Sequence, residues 1–229
     1  MKVSICTPTY NRRRFIPSIL RCVQQQDYSG PIEWVIVDDG TDPIEDLVRH
    51  LPFVNYVRLP EKVSLGYKRN LMHKKCTGDI LVYMDDDDYY PPTRVSHAVE
   101  KLTGCNALVA GSSVIHVYYP HLHQIVEFGP YGKNHATAGT FAFKKELLQI
   151  TSYQDSATMA EENYFLKGYT IPMVQLNPLH TILVTCHPYN TFDKKKLLEM
   201  QGKSYALNIE DIIHDKYLCT FFTTIGALD

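Results

Sequence analysis

Val3 to Cys6, Glu33 to Val37, Val54 to Leu59 and Ile80 to Met84 are short apolar runs, and segments with helical spacing fill the intervals between them. Strands joined through helices pair in parallel, because a parallel neighbour needs a crossover and a tight turn cannot supply one. In the first interval Asn11 is placed to cap a helix from about Arg13 to Gln26, with Phe15, Ile19, Leu20 and Val23 on one face. A second helix runs through Leu47 and Val48, a third from about Tyr67 to Lys75 is closed by Thr77-Gly78, and a fourth covers Val95–Leu102. This order predicts an α/β fold with a mostly parallel sheet flanked by helices.

Sheets of that kind bind ligands at the carboxyl ends of their strands. The three most unusual loops of the chain fall there: Thr7–Tyr10, Asp38-Asp39 and Asp85–Asp88. The last is a run of four carboxylates between a buried strand and Pro91-Pro92, which opens the next helix. Adjacent carboxylates repel one another and are tolerated when solvated or when a cation sits among them. The alternative is an acidic turn that caps the following helix, since Asp is common in turns.

With 229 residues the chain is long enough for one large domain. We expect residues 1–103 to form one half of it, 104–193 the other half, and 194–229 a covering tail. A net charge of −2 argues against a protein that coats nucleic acid or an anionic membrane. The basic clusters Arg12-Arg13-Arg14, Lys74-Lys75 and Lys194-Lys195-Lys196 then read as solvated faces or local anion contacts. Six scattered cysteines without a C-x-x-C pair fit reduced thiols in a cytosol-like compartment. No signal peptide is apparent, and no apolar run approaches the ~20 residues that cross a bilayer, so a soluble, cytoplasmic chain is expected.

The second half is less regular. Leu108-Val109 and Val114–Tyr118 read as strands, with Gln124–Phe128 pairing the latter as a hairpin. Lys144–Gln149 and Ala160–Lys167 read as short helices and Ile182–Val184 as a last strand. Leu197-Leu198, Ile209, Ile212 and Ile213 would pack as a covering tail.

A divalent cation in the acidic loop would be Mg²⁺ or Mn²⁺, which prefer oxygen ligands and take one or two carboxylates together with substrate phosphates. Tyr10 offers a ring to stack on a base, or is a half-buried loop tyrosine. Asp38 and Asp39 either accept from a base or ribose or begin the next turn. Lys68 and Arg69 lie in a first helical turn, where the dipole disfavours cations, so they either meet a phosphate or carboxylate or form a surface salt bridge.

The ordered set Thr7-Pro8-Thr9-Tyr10-Asn11-Arg12, Val35-Ile36-Val37-Asp38-Asp39-Gly40-Thr41, Gly66 with Arg69-Asn70, Thr77-Gly78-Asp79 and Tyr83-Met84-Asp85-Asp86-Asp87-Asp88 resembles the inverting glycosyltransferases of family 2. The resemblance covers about the first hundred residues. It implies the nucleotide-diphospho-sugar transferase (GT-A) fold, with a Rossmann-like nucleotide-binding half over residues 1–103 and a donor-sugar and acceptor half over 104–193. It further implies that Thr7, Pro8 and Tyr10 frame the base and that Asp39, with Asp38, holds base or ribose. Lys68 and Arg69 would belong to the nucleotide site, as would Asp85 and Asp86. Asp85-Asp86-Asp87 matches the D-x-D signature, with Asp85 near the ribose and Asp87 on the metal. The acidic middle residue departs from the usual pattern, and Asp88 matches the acidic residue that often follows.

Later matches are sparser. Ala138-Gly139-Thr140 resembles the segment lining donor sugar and acceptor. Glu161-Glu162 stands where the family has an acidic pair whose second member is the catalytic base, usually Asp. Glu162 is the candidate base, Glu161 its competitor, and a helix-start pair favoured by the dipole is the alternative. His187, with Asn190 nearby, matches a late metal-binding histidine, with His180 and His135 as competitors. The implied reaction is metal-dependent (Mn²⁺ or Mg²⁺) transfer from a nucleotide-diphosphate sugar, most simply a UDP-sugar, to a hydroxyl of a glycan, lipid or protein. A non-catalytic nucleotide-sugar-binding module is the alternative from another class. A sugar-phosphate nucleotidyltransferase fits less well, because Thr7-Pro8-Thr9-Tyr10 lacks the glycines of that family's first loop.

Overall fold

The apolar runs pair in parallel, as their helical connections predict. The structure, a computed structural model, describes residues 1–158, 161–199 and 202–225. The first half contains β1 (Val3–Thr9), α1 (Ile16–Gln24), β2 (Ile32–Asp38), α2 (Glu45–Val48), β3 (Val54–Arg58), α3 (Leu65–Lys75), β4 (Ile80–Tyr83) and α4 (Arg94–Thr103). There follow β5 (Val109–Gly111), β6 (Ile115–Tyr119), β7 (Gln124–Phe128), β8 (Ala142–Lys144), α5 (Glu161–Phe165), β9 (Met173–Gln175), β10 (Leu183–Thr185), β11 (Lys203–Ser204), α6 (Ile209–Ile212) and α7 (Lys216–Thr224).

The large sheet has the order β3-β2-β1-β4-β8-β5-β9. Its first four strands are parallel, in the register Cys6 opposite both Val35 and Tyr83. Because β2 and β4 flank β1, the order reverses direction there, and a crevice opens above the carboxyl ends of β1 and β4. β8 inserts antiparallel between β4 and β5, a strand that the sequence did not announce. With only three residues it shows no period-two signature. A second sheet, β10-β6-β7-β11, carries the predicted β6–β7 hairpin.

Apolar packing covers both faces of the large sheet. Ile5, Trp34, Ile36 and Val82 meet Ile16, Ile19 and Val95 on one side, together with Ile209, Ile213, Leu218 and Phe222 from the C-terminal segment. Cys6, Val35, Val37 and Leu81 meet Met72, Phe143 and Phe165 on the other. Of the expected covering residues, Ile209 and Ile213 are buried while Leu198 stays exposed. The six cysteines are free thiols. Among the described residues no helix is long and apolar enough to cross a membrane.

Asn11 does not cap α1. It takes a left-handed backbone (φ 54°), and its Oδ1 accepts from Thr41 N–H at 2.7 Å and Asp42 N–H at 3.2 Å. The α1 segment starts instead through a tighter turn over Arg13–Phe15 with Pro17 near its first position. Asn tolerates this backbone, and the neighbouring loop's unpaired N–H groups compete for its oxygen. Ala160, expected to begin α5, lies outside the described residues.

Arg94 is fully buried at the start of α4, and its Nη2 donates to the carbonyls of Tyr83, Thr140 and Phe141 at 3.2, 2.9 and 2.7 Å. One guanidinium thus joins the end of β4 to the chain entering β8. Burial pulls its pKa down to about 10, so it stays charged at neutral pH.

Candidate active site

Side chains fasten the acidic loop at both ends. The buried Trp34 indole N–H donates to Thr7 Oγ1 at 2.8 Å, and Thr7 Oγ1 donates to the Met84 carbonyl at 2.7 Å. On the other side the Tyr90 hydroxyl accepts from Asp85 N–H at 2.7 Å and lies 3.4 Å from the Gly139 carbonyl oxygen. A Cβ on Gly139 would stand 3.1 Å from Asp85 Oδ2, so this close approach suits glycine. Thr7 and Thr140 are fully buried struts. Thr140 Oγ1 donates to the Thr137 carbonyl at 2.7 Å and accepts from Ser112 N–H at 3.0 Å.

The Asp38 carboxylate shapes its own loop. Oδ1 accepts from Gly40 N–H at 2.9 Å, and Oδ2 accepts from Ile44 N–H at 3.1 Å and the Tyr56 hydroxyl at 2.7 Å. With those bonds made and the residue buried, the Asp38 carboxylate holds the shape of the loop, and one acceptor position on Oδ1 is left for the base or ribose contact expected from the sequence. Asp39 accepts from Val63 N–H at 2.9 Å and pairs with Lys68, whose Nζ also donates to the Thr9 carbonyl at 3.0 Å. Burial lowers the Lys68 pKa against the pull of Asp39.

The four aspartates of the loop are not equivalent. Asp88 turns inward, where its Oδ1 accepts from Thr185 N–H at 2.9 Å, and burial pushes its pKa up to about 7. Asp87 Oδ2 lies 3.3 Å from His187 Nε2, 3.4 Å from Asn190 Nδ2 and 3.6 Å from Arg12 Nη2. Burial opposes the Asp87 charge, but the His187 hydrogen bond and the nearby Lys194 and Arg12 outweigh it and hold the carboxyl well below the usual range. Burial, partly offset by Arg69, raises Asp85, and burial with Asp87 as neighbour raises Asp86. His187 Nδ1 accepts from Tyr189 N–H at 3.2 Å, and its Nε2, which faces Asp87, also lies 2.8 Å from Asn190 Nδ2.

Asp85 Oδ1 and Asp86 Oδ2 are buried without a hydrogen-bond partner, as is Arg69 Nη1. Partnerless carboxylate oxygens beside an ionised Asp87 are the hard donors that Mg²⁺ and Mn²⁺ take. Among the described residues no group of three or more His, Cys, Asp or Glu forms a ready-made metal cage.

These residues line a cleft of about 430 Å³ that also includes Pro8, Tyr10, Arg12, Lys62, Lys68 and Arg69. Lys62 Nζ lies 4.4 Å from the Tyr10 ring centroid. Arg69 extends from α3 to Glu161, with Nε to Oε1 at 2.8 Å, and its Nη1 is 3.8 Å from Asp85 Oδ1. Glu161 is thereby tied to the acidic loop through Arg69. Glu162 is half-buried beside it and forms no ion pair among the described residues. Burial and the Glu161 charge raise its pKa.

Of the three candidate histidines, His187 alone is brought to Asp87. His180 Nδ1 is hydrogen-bonded to Thr93 Oγ1 at 2.9 Å, and His135 packs against Tyr131 and Tyr169 at 5.0 and 4.7 Å between ring centroids. Sequence reasoning did not assign Arg12, Lys62, Tyr189 or Thr191 to the cleft. Tyr189 and Thr191 flank Asn190 in an irregular segment without a periodic signal. Arg12 belongs to the first motif, and of the two readings of its basic cluster, a solvated face or a local anion contact, the structure gives it the second.

The raised Asp88 carboxyl yields a pH prediction. Its folded pKa exceeds the unfolded value, so it contributes stability below about pH 4 that is lost as pH rises through about 7. Asp88→Asn keeps the acceptor for Thr185 N–H and removes the charge. In metal-free urea unfolding the variant is expected to gain roughly 2–3 kcal/mol over the wild type between pH 5 and pH 8. A difference that does not change with pH would show that Asp88 is charged at low cost.

The match to known families now has a geometry to sit on. Residues 4–151 match the model of "Glycosyl transferase family 2". The chain belongs to that family. As a family 2 member it is 33% identical over 99 residues to the poly(ribitol-phosphate) beta-N-acetylglucosaminyltransferase TarS of Staphylococcus aureus, covering 39% of this chain and 17% of TarS. An uncharacterized glycosyltransferase of Haemophilus influenzae is 26% identical over 128 residues, 56% of this chain and 41% of that protein. The chain thus spans less than half the length of these relatives. The structure of S. aureus TarS 1-349 in complex with UDP-GlcNAc superposes with a TM-score of 0.66 at 18% identity, covering 100% of this chain and 68% of that one. The mannosyltransferase PcManGT from Pyrobaculum calidifontis, in complex with GDP-Man and Mn²⁺, gives 0.65 at 19% identity over 98% of this chain and 72% of that one. These likenesses establish the GT-A fold for this family 2 chain.

Proposed function

We propose that this glycosyltransferase moves a sugar from a nucleotide diphosphate, a UDP-sugar foremost, to an acceptor hydroxyl with inversion at the anomeric carbon. The observation that carries the reading is the pair of partnerless oxygens on Asp85 and Asp86 beside ionised Asp87, facing Arg12, Lys68 and Arg69 in one cleft. Such a cleft accepts a ligand that brings its own anionic phosphates to a cation. Tyr10 stacks on the base above Pro8. Asp39 accepts from base or ribose in place of its present pair with Lys68, and the freed ammonium turns to the diphosphate. Asp85 lies toward the ribose.

Asp87, with His187 and the Asp85 oxygen that accepts no hydrogen bond, would hold Mn²⁺ or Mg²⁺, which when bound supplies Lewis-acid neutralisation of the departing diphosphate. Arg69, held by Glu161, keeps a second positive charge over the same region. Glu162 takes the acceptor proton as the new glycosidic bond forms, a role that its raised pKa favours. A single displacement requires no enzyme nucleophile. The acceptor hydroxyl belongs to a glycan, a lipid or a protein.

The test is a panel of UDP-, GDP- and dTDP-sugars with Mn²⁺ or Mg²⁺, read as the shift in melting temperature. A ligand at 100 times its Kd stabilises by about 2.7 kcal/mol. A metal-dependent shift with one UDP-sugar is expected. No shift with any donor in either metal would overturn the proposal.

A further inference from the structure

The acidic loop already has a cation of its own. Arg12 leaves the loop after β1 with Nε 3.6 Å from Asp86 Oδ1 and Nη2 3.6 Å from Asp87 Oδ2. Both separations exceed a hydrogen bond, so toward the two carboxylates the guanidinium acts as a charge rather than as a fixed ligand. Its firm contacts lie elsewhere. The same Nη2 donates to the Tyr189 carbonyl, and the guanidinium carbon sits 5.4 Å from the Phe15 ring centroid. Phe15 in turn packs 4.9 Å from the His187 ring. The Arg12 side chain is 16% exposed, so water screens its charge poorly.

The other cations of this cleft floor are committed differently. Lys68 is bonded to Asp39 and the Thr9 carbonyl, Arg69 is paired with Glu161 and reaches one aspartate of the loop, Asp85, and Lys62 lies over Tyr10. Among the described residues Arg12 is the one whose ion pairs span two aspartates of the loop. It does so at the oxygen of Asp87 that also faces His187 and Asn190.

We propose that Arg12 is a tethered counter-ion that neutralises Asp86 and Asp87 before a divalent ion arrives and yields Asp87 to that ion when it binds. This rests on the reading of Asp87 as a metal ligand. The Tyr189 carbonyl and the Phe15 face retain the guanidinium during the exchange, so it moves a short way and stays in the cleft, free to pair with an arriving diphosphate. Two consequences follow from charge alone. Without Arg12 the metal-free loop is less stable, because its carboxylates repel with only Lys194 and Arg69 left to oppose them. Without Arg12 the ion also binds more tightly, because it no longer displaces a resident charge. The cost of this exchange disfavours loading by the ion alone, and the diphosphate relieves it, which couples metal to nucleotide binding.

The test measures Mn²⁺ binding to the full chain by electron paramagnetic resonance, with no nucleotide present. Arg12→Gln is expected to bind Mn²⁺ on the order of tenfold more tightly than the wild type, which is about 1.4 kcal/mol. Its metal-free melting temperature should fall. Arg12→Lys, which keeps the charge, should remain within about threefold of the wild type. Arg12→Gln with unchanged or weaker Mn²⁺ binding would overturn the proposal. Absence of any Mn²⁺ binding that Asp87→Ala removes defeats the metal reading and the exchange with it, whereas Asp87-dependent binding indifferent to residue 12 defeats the exchange alone. Should Arg12→Gln not fold, the Arg12 Nε–H resonance of the wild type decides. A shift on adding Mg²⁺ supports the exchange, and an unmoved resonance at saturating Mg²⁺ overturns it.

Discussion

Asp87→Ala is expected to remove metal-dependent donor binding and to lower transfer by roughly a thousandfold or more. That loss corresponds to about 4 kcal/mol of leaving-group stabilisation. The argument rests on the position of this carboxylate among its neighbours. Asp87 is the member of the loop held ionised, with His187, Asn190 and Arg12 all directed at Oδ2. Asp88, one residue on, is turned to Thr185 and titrates near neutrality. The effect should therefore be specific to position 87, and Asp88→Asn should still bind metal and nucleotide. Circular dichroism controls for folding, because alanine leaves His187 and Asn190 without their common acceptor and Arg12 without one of its counter-charges. Metal-dependent nucleotide binding that survives in Asp87→Ala would move the ion to Asp85 and Asp86.

Glu162→Gln should separate binding from chemistry. Gln is nearly isosteric but takes no proton, and loss of a positioned base costs about 10²- to 10⁴-fold in rate. Donor affinity should stay within a few-fold of the wild type, because Glu162 forms no ion pair among the described residues. Glu161→Gln should behave differently. It breaks a buried pair with Arg69 and strands the guanidinium, a change that typically costs about 3–5 kcal/mol of stability. It would also disturb donor binding through the Arg69–Asp85 contact. The acid limb of kcat against pH should lie above the ordinary glutamate range, since burial raises Glu162. Transfer by Glu162→Gln at the wild-type rate would exclude this residue as the base.

The parallel half of the sheet could be read from the chain because each of its strands is a short apolar run closed by a polar loop. The same feature located the loops at Thr7, Asp38 and Asp85, since parallel strands end on one edge. What each aspartate touches could not be read. Asp38 and Asp39 are adjacent and chemically identical, and only the neighbouring N–H groups and Lys68 distinguish their environments. β8 and β9 escaped because three residues between two neighbours carry no pattern of their own. Asn11 was misassigned for a related reason, as its oxygen chose between a helix start and a loop far along the sequence. The role of Arg12 depended on Tyr189, 177 positions away, and no local pattern records such a contact.

The chain contains a single tryptophan, and its indole N–H reaches the acidic loop through one intervening hydroxyl, Thr7, bonded to the Met84 carbonyl. Emission from Trp34 consequently arises at the root of Asp85. A shift of that loop as a donor enters would alter the hydrogen bond to the indole, and fluorescence of the unlabelled protein becomes an optical gauge of the site. Stopped-flow mixing could then time the loop's response in the untagged wild-type chain, with no probe attached and no substitution made.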